Sequence, residues 1–325
     1  MEKPILGIHH VTAIASDPQR ILDFYTEVLG LRLVKRTVNF DDPGTYHLYF
    51  GDDAGSPGTI LTFFPWPGAA RGTPGVGQAT ATSFNVPESS LSYWEQRLLS
   101  VGIPVERSGK RFDEEVLTFA DPDGLKLELV GHAGAREPKV PKGSAVPEEH
   151  AIRGFYAVTL SEQGFEATTD TLQTMGFRSV GEQGNRFRFD VGAGGAGARV
   201  DVLCVAEARY GRISAGTVHH IAWRVADDES QRAWRQRMRE KHLNVTPVID
   251  RCYFHSVYFR EPGGVLFELA TDPPGFAIDE PAESLGKNLK LPTWLESHRK
   301  EIEGALPPLQ LHQPLEVNAG GQSPS

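Results

Sequence analysis

One segment of this chain occurs twice. Phe119-Ala-Asp-Pro122-Asp-Gly124-Leu-Lys-Leu-Glu128-Leu129 returns as Phe259-Arg-Glu-Pro262-Gly-Gly264-Val-Leu-Phe-Glu268-Leu269. Phe, Pro, Gly, Glu and Leu stand in register, and an acidic residue precedes each Pro. A second echo links His9-His10-Val11-Thr12 near the start to His219-His220-Ile221-Ala222 late in the chain. Repetition at this spacing restricts the fold to copies of one small unit that bury their faces against each other.

The repeating unit can be read from residue periodicity. Residues 5–15 have the β-branched content of a strand. Asp17-Pro18 then opens a helix with Ile21, Leu22, Tyr25, Val28 and Leu29 at helical spacing, and Gly30 closes it. Strand-like runs follow at 31–38, 46–50 and 59–64. The same β-α-β-β-β order recurs with a strand at 79–86 and a helix at 89–101. It recurs again with a strand at 155–160 and a helix through Leu172 to Met175. The last copy has a strand from Val218, a helix at 230–241 and strands near Val245, Phe254 and Val265. Units of about 50 residues are too short to stand alone. The expected class is α+β, with four βαβββ modules forming two curved mixed sheets. The chain order divides into a first two-module domain at 1–135, a linker at 136–150 and a second two-module domain at 151–275. A cover segment and helix are expected at 276–306 and a disordered tail at 307–325. Pro292, Trp294, Leu295 and Ile302 suggest that the helix begins at Pro292.

Composition excludes several classes of function. A net charge of -9 argues against nucleic acid or an anionic membrane as partner. No run approaches the roughly 18 apolar residues of a membrane span. The two cysteines, Cys204 and Cys252, lack metal or disulfide spacing and suit a reducing, cytoplasmic location.

Strand alternation then sorts the polar residues. His220 and Ala222 share one face, while His219 shares the apolar face with Ile221, Trp223 and Val225. His10 and Thr12 share a face opposite His9, Val11 and Ala13. Glu268 lies mid-strand in an apolar run, where a carboxylate is costly unless it is paired or binds a cation. Two His and one carboxylate on equivalent repeated elements form the donor set of a non-haem iron site with open positions. Fe(II) and Mn(II) both accept these ligands, whereas no cysteine cluster completes a structural zinc site. Glu128 and Asp201 have no His partners of this kind, and Glu128 reads as an ion-paired or solvated residue.

With these motifs in hand, the chain resembles the vicinal oxygen chelate superfamily, of glyoxalase/bleomycin resistance/extradiol dioxygenase-like fold. Within it the chain is similar to ring-cleaving dioxygenases of the hydroquinone and 2,6-dichlorohydroquinone 1,2-dioxygenase type. His9-His10-Val-Thr12, His219-His220 and Gly263-Gly264-Val-Leu-Phe-Glu268 carry the resemblance. Tyr46-His-Leu-Tyr-Phe50, Gly55-Ser-Pro-Gly-Thr59, Arg153-Gly-Phe155 and Ser284-Leu-Gly286 add to it. The resemblance implies Fe(II) held by His10, His220 and Glu268, with the first and fourth units joined around one cleft. It also implies catalytic roles for His9, Thr12, His219, Arg251 and Tyr258. Tyr258 and His219 would hydrogen-bond the substrate oxygen, and Arg251 would support negative charge.

The expected function is therefore an Fe(II)-dependent dioxygenase that opens a hydroquinone-type ring, with or without chlorine, using O2. Its partners would be a small aromatic substrate, O2 and further copies of the chain in a homodimer or higher homo-oligomer. Two other classes remain open: a glyoxalase-type lyase or isomerase, and an aromatic-binding protein without turnover. The first would need a fourth protein ligand, and the run Ile60-Leu61-Thr62-Phe63 offers Thr62 in place of a carboxylate. Residues 276–291 are read two ways: as a cover over the cleft mouth, or as a surface connection to the last helix.

Overall fold

The computed structural model describes residues 3–134 and 139–311. Four copies of one unit make up most of them. The first comprises β1 (Ile8–Ala15), α1 (Pro18–Asp23), β2 (Arg32–Asn39), β3 (Asp42–Gly51) and β4 (Ile60–Pro65). The second comprises β5 (Gln78–Val86), α2 (Leu91–Ser100), β6 (Glu106–Arg111), β7 (Glu114–Ala120) and β8 (Lys126–Gly131). The third has β9 (Phe155–Glu162), α3 (Glu166–Thr174), β10 (Arg178–Gln183), β11 (Arg186–Asp190) and β12 (Arg199–Cys204). The fourth has β13 (Thr217–Val225), α4 (Asp228–Glu240), β14 (Ile249–Asp250), β15 (Phe254–Arg260) and β16 (Leu266–Pro274). A short α5 (Arg299–Ala305) follows.

Local chemistry sets these boundaries. The Asp17 carboxylate accepts from the backbone N–H groups of Gln19 and Arg20, and Pro18 fills the first helical turn of α1. The helix widens into a π-type turn over Phe24–Val28 before Gly30 turns the chain at φ +70°. The duplicated segment has a physical reason as well. Asp121 accepts from the N–H groups of Asp123 and Leu125, which pins the β7–β8 turn. Glu261 does the same for Gly263 and Val265 at the β15–β16 turn. Gly124 and Gly264 follow at φ +89° and +113°, where a side chain would be strained.

Two eight-stranded mixed sheets result, ordered β14-β15-β16-β13-β1-β4-β3-β2 and β10-β11-β12-β9-β5-β8-β7-β6. The first joins the first and fourth units through the antiparallel pair β1–β13. The second joins the middle two through β5–β9. Each sequential half, 1–135 and 151–275, therefore gives one unit to each sheet, and neither half builds a sheet alone. Trp223 and Phe267, on the helix side of the first sheet, pack edge-on with each other, and Phe177 of the third unit closes over Trp223. No helix among the described residues is long and apolar enough to cross a membrane. Both cysteines are free.

Several boundaries differ from the sequence reading. The last helix begins at Arg299 rather than Pro292; a turn and a 3-10 segment at Glu296–His298 precede it. Trp294 consequently lies half exposed beside Phe40 instead of on an apolar stripe. Residues 307–311 are placed, with Tyr46 donating to the Pro307 carbonyl and the Gln310 N–H donating to Gln19. The rest of the expected tail, 312–325, lies outside the described residues. The described part of the linker, 139–150, packs on the first two units, where Ser144 donates to the Gly30 carbonyl and Trp94 to that of His150.

Residues 276–291 plug one end of the first half-barrel. Phe276 is buried against the rings of Tyr49 and Tyr253. The segment then runs along the edge strand β2, where Lys290 donates its N–H to the Arg36 carbonyl. Arg32 bonds the carbonyls of Ala282 and Leu285. At Gly286 an added Cβ would meet the Leu33 carbonyl, so the close approach requires glycine. Beneath it Lys35, fully buried, holds Asp279 at 2.6 Å and Glu280 at 2.7 Å.

Candidate metal centre

Three strands of the first sheet bring the candidate ligands together. β1 supplies His10, β13 supplies His220, and β16 supplies Glu268 beside Ala222. Glu268 Oε2 lies 2.9 Å from His220 Nε2 and 3.3 Å from His10 Nε2, and the two Nε2 atoms are 3.3 Å apart. All three side chains are buried. Among the described residues this is the one cluster of three or more His, Cys, Asp or Glu side chains with converging donor atoms.

The atoms fit a cation. Glu268 Oε1 accepts from Ser256 at 2.5 Å, while the buried Oε2 receives no hydrogen bond despite the two nearby imidazole nitrogens. Bonds of about 2.1 Å to one ion give ligand–ligand edges of about 3.0 Å in an octahedron and about 3.4 Å in a tetrahedron. Two of the observed edges, at 3.3 Å, fall in that range, and the third, at 2.9 Å, lies just below the octahedral value. Protonation also suits ligation. Burial holds His220 below its ordinary pKa, against the opposing pull of Glu268.

Strand alternation misplaced His9 and His219. A β-bulge falls at each, because Ile8 pairs with Trp223 and His10 with Ala222, while Thr12 pairs with His220 and Ala13 with Val218. Each extra residue is a first His, and the bulge turns its ring beside the second. His9 Nδ1 is 2.9 Å from His10 Nδ1, and His219 Nδ1 is 2.8 Å from His220 Nδ1. Donation from each ligand's Nδ1–H to its neighbour leaves Nε2 with a free lone pair. Burial keeps both neighbours neutral: His9 lies well below its ordinary value, and His219 is pushed down to about 3.

The other expected residues surround the cleft. Thr12 shares a face with His10, and its Oγ1 is 2.8 Å from Thr62 Oγ1. The Tyr258 ring stands edge-on to His220, with centroids 5.7 Å apart. Arg251 lies over Tyr258 at 5.5 Å and pairs with Asp41 at 3.0 Å. Burial, and then the charge of Glu268, raise the Tyr258 phenol and keep it protonated.

Sequence reasoning missed three participants, His47, Phe64 and Ser256. His47 and Phe64 have rings 4.3 Å apart, and Phe64 meets His219 edge-on at 5.7 Å. With Tyr258 they make a partly exposed aromatic rim. Phe254 lies about 5 Å from the rings of both His9 and His10 and seals the opposite side. Ser256 orients the carboxylate. The available signal was alternation, since His47 and Tyr49, like Thr62 and Phe64, are two residues apart and share the cleft face.

The second sheet repeats the geometry without the ligands. Register equates Ala157 and Ala81 with the two ligand His, Glu128 with Glu268, and Asp201 with Thr62. Arg111 binds both oxygens of Glu128, at 2.6 and 2.8 Å, and Ser83 adds a third bond. Arg186 and Arg188 hold Asp201. Guanidinium groups neutralise these buried carboxylates, as the ion-pair reading of Glu128 anticipated.

Paired β-α-β-β-β units around a buried cleft with three facing donors define a metal-dependent class of protein. The chain belongs to the Glyoxalase/Bleomycin resistance protein/Dioxygenase superfamily, whose model matches residues 7–129 and 131–269. It is 48% identical over 314 residues to the Bacillus subtilis (strain 168) protein named "Putative ring-cleaving dioxygenase MhqO", covering 96% of this chain and 99% of that one. Identity to the "Chlorohydroquinone/hydroquinone 1,2-dioxygenase" of Sphingobium indicum is 35% over 305 residues, covering 91% and 94%. A crystal structure of a "putative dioxygenase" from Bacillus subtilis superimposes with TM-score 0.91 at 47% identity, covering 96% and 99%.

Proposed function

We propose that this chain is a ring-cleaving dioxygenase that binds Fe(II) through His10, His220 and Glu268 and opens hydroquinone-type rings with O2. The observation that carries the reading is the three-donor face itself. At the pseudo-equivalent position where a fourth carboxylate would complete a closed ligand set stands Thr62, engaged with Thr12 and His47. A site with three protein donors leaves room for substrate and O2, which disfavours the glyoxalase-type lyase. The names of the relatives support the same chemistry.

Fe(II) held there would acidify a phenolic hydroxyl and exchange electrons with O2. The protein residues do the rest. His9 and His219 fix the ligand imidazoles. The rim of His47, Phe64, His219 and Tyr258 offers ring faces and edges to a flat aromatic. Tyr258, kept protonated, donates a hydrogen bond to the substrate oxygen, and Arg251 over its ring supplies positive charge. Phe254 and the Phe276 plug exclude water from the closed side.

The test is oxygen uptake by anaerobically iron-loaded protein against a panel of hydroquinones and catechols. One O2 consumed per ring-opened product is expected with a hydroquinone. Isomerisation of a thiol adduct without oxygen uptake would replace the proposal with the lyase. Tight aromatic binding without turnover would replace it with a binding protein.

A further inference from the structure

We infer that Tyr49, His47 and Thr62 form a one-way hydrogen-bond chain that fixes the Thr12 hydroxyl as a donor into the metal cleft. The proposed function enters only in what this donor meets, the anionic oxygen of a phenolic substrate.

Sheet register lines the residues up. Tyr49 on β3 lies beside Thr62 on β4, Thr62 beside Thr12 on β1, and Thr12 beside His220 on β13. His47, two residues from Tyr49, bridges the row. Tyr49 Oη is 2.8 Å from His47 Nδ1, His47 Nε2 is 2.8 Å from Thr62 Oγ1, and Thr62 Oγ1 is 2.8 Å from Thr12 Oγ1.

The direction follows from the first member. Tyr49 is buried between Tyr253 and Phe276, and His47 is its one hydrogen-bond partner among the described residues. Burial raises its pKa well above the ordinary value, so it keeps its proton. A buried O–H with one polar neighbour donates to it. His47 is neutral, because burial lowers its pKa far below the ordinary value and His10, His220 and Arg251 add to that shift. A neutral imidazole that accepts at Nδ1 carries its hydrogen on Nε2. His47 thus donates to Thr62, and Thr62 passes its own hydrogen to Thr12. Thr12 is fully buried and has no further side-chain partner among the described residues, so its proton is left for the cleft. The reverse direction would aim the Tyr49 O–H at aromatic rings and leave Thr12 without a proton to offer. Tyr49, His47 and Thr62 are positioning residues acting through Thr12.

Two readouts test this. The first is the His47 tautomer in full-length protein loaded with diamagnetic zinc(II), read from two-bond nitrogen–proton NMR correlations. Hydrogen on Nε2 is expected; hydrogen on Nδ1 would overturn the chain. The second is affinity of the iron-loaded, oxygen-free protein for 4-nitrophenol, followed by its phenolate absorbance. Thr62→Val removes the partner that orients the Thr12 hydroxyl and should weaken binding about tenfold, and Thr62→Ser should restore it. Both variants should keep the wild-type iron stoichiometry; Thr62→Val should lower the melting temperature by a few degrees, because it leaves the His47 N–H and the Thr12 hydroxyl without their partner, and Thr62→Ser should restore it. Unchanged affinity in Thr62→Val, or failure of the serine rescue, would contradict the inference. Should wild type bind no phenol at all, the proposed function fails, and the tautomer alone decides the chain.

Discussion

Replacing Lys35 by Met tests how the plug at residues 276–291 is held. The ammonium is wholly buried and contacts two carboxylates; the Glu280 side chain is 3% exposed and that of Asp279 29%. Breaking one partner out of a buried ion pair costs about 3–5 kcal/mol, because the abandoned charge stays desolvated. The lower end applies here, since Asp279 reaches solvent and accepts from Tyr253 at 3.1 Å. An unfolding entropy of about 2.1 cal/mol/K per residue over 325 residues is about 0.7 kcal/mol/K, so a loss of about 3 kcal/mol lowers Tm by about 4 °C. Circular dichroism melts of full-length protein read this directly. The triple variant Lys35→Met, Asp279→Asn, Glu280→Gln removes the unpaired charges and should recover most of the loss. A single variant melting within about 1 °C of wild type, or a triple variant no better than the single, would refute the buried-charge reasoning.

Ser256→Ala removes the hydrogen bond that orients Glu268 and should weaken Fe(II) binding about 10- to 100-fold by anaerobic titration; it also leaves a buried carboxylate without its hydrogen bond, so the Tm of metal-free protein should fall. Arg111→Met strands the buried Glu128 and should destabilise the chain by about 3 kcal/mol in denaturant melts, while iron affinity stays at the wild-type value because the two clefts lie on different sheets. For metal-free protein the sign of the pH dependence follows from depressed imidazole values. His9, His47, His219 and His220 fold neutral, whereas in the unfolded chain they take up protons below about pH 6.5. Stability present above that pH should therefore fall as pH drops toward 3, as Tm measured across that range will show; a flat profile would contradict the neutral assignment.

Repetition made the four units and their strands legible, because each hydrophobic period had to recur for the sheets to close. His10, His220 and Glu268 were legible for the same reason, as equivalent positions on repeated strands. The places of His9 and His219 were not, because a bulge inserts one residue without any mark in the alternation. Nor was the last helix's start: Trp294 matches an apolar stripe by spacing, yet Phe40 offers it only an edge. The His47–Thr62 contact depends on cross-strand register between β3 and β4, which periodicity within one strand does not carry. Lys35 reads as an ordinary exposed strand residue, and only the fold of 276–291 over β2 buries it.

Iron-edge anomalous diffraction from anaerobically loaded crystals tests the central claim most directly. The account predicts one strong peak about 2.1 Å from His10 Nε2, His220 Nε2 and a Glu268 oxygen, and none in the second cleft. Iron bound elsewhere, or a vacant triad in protein that still opens the ring, would contradict it.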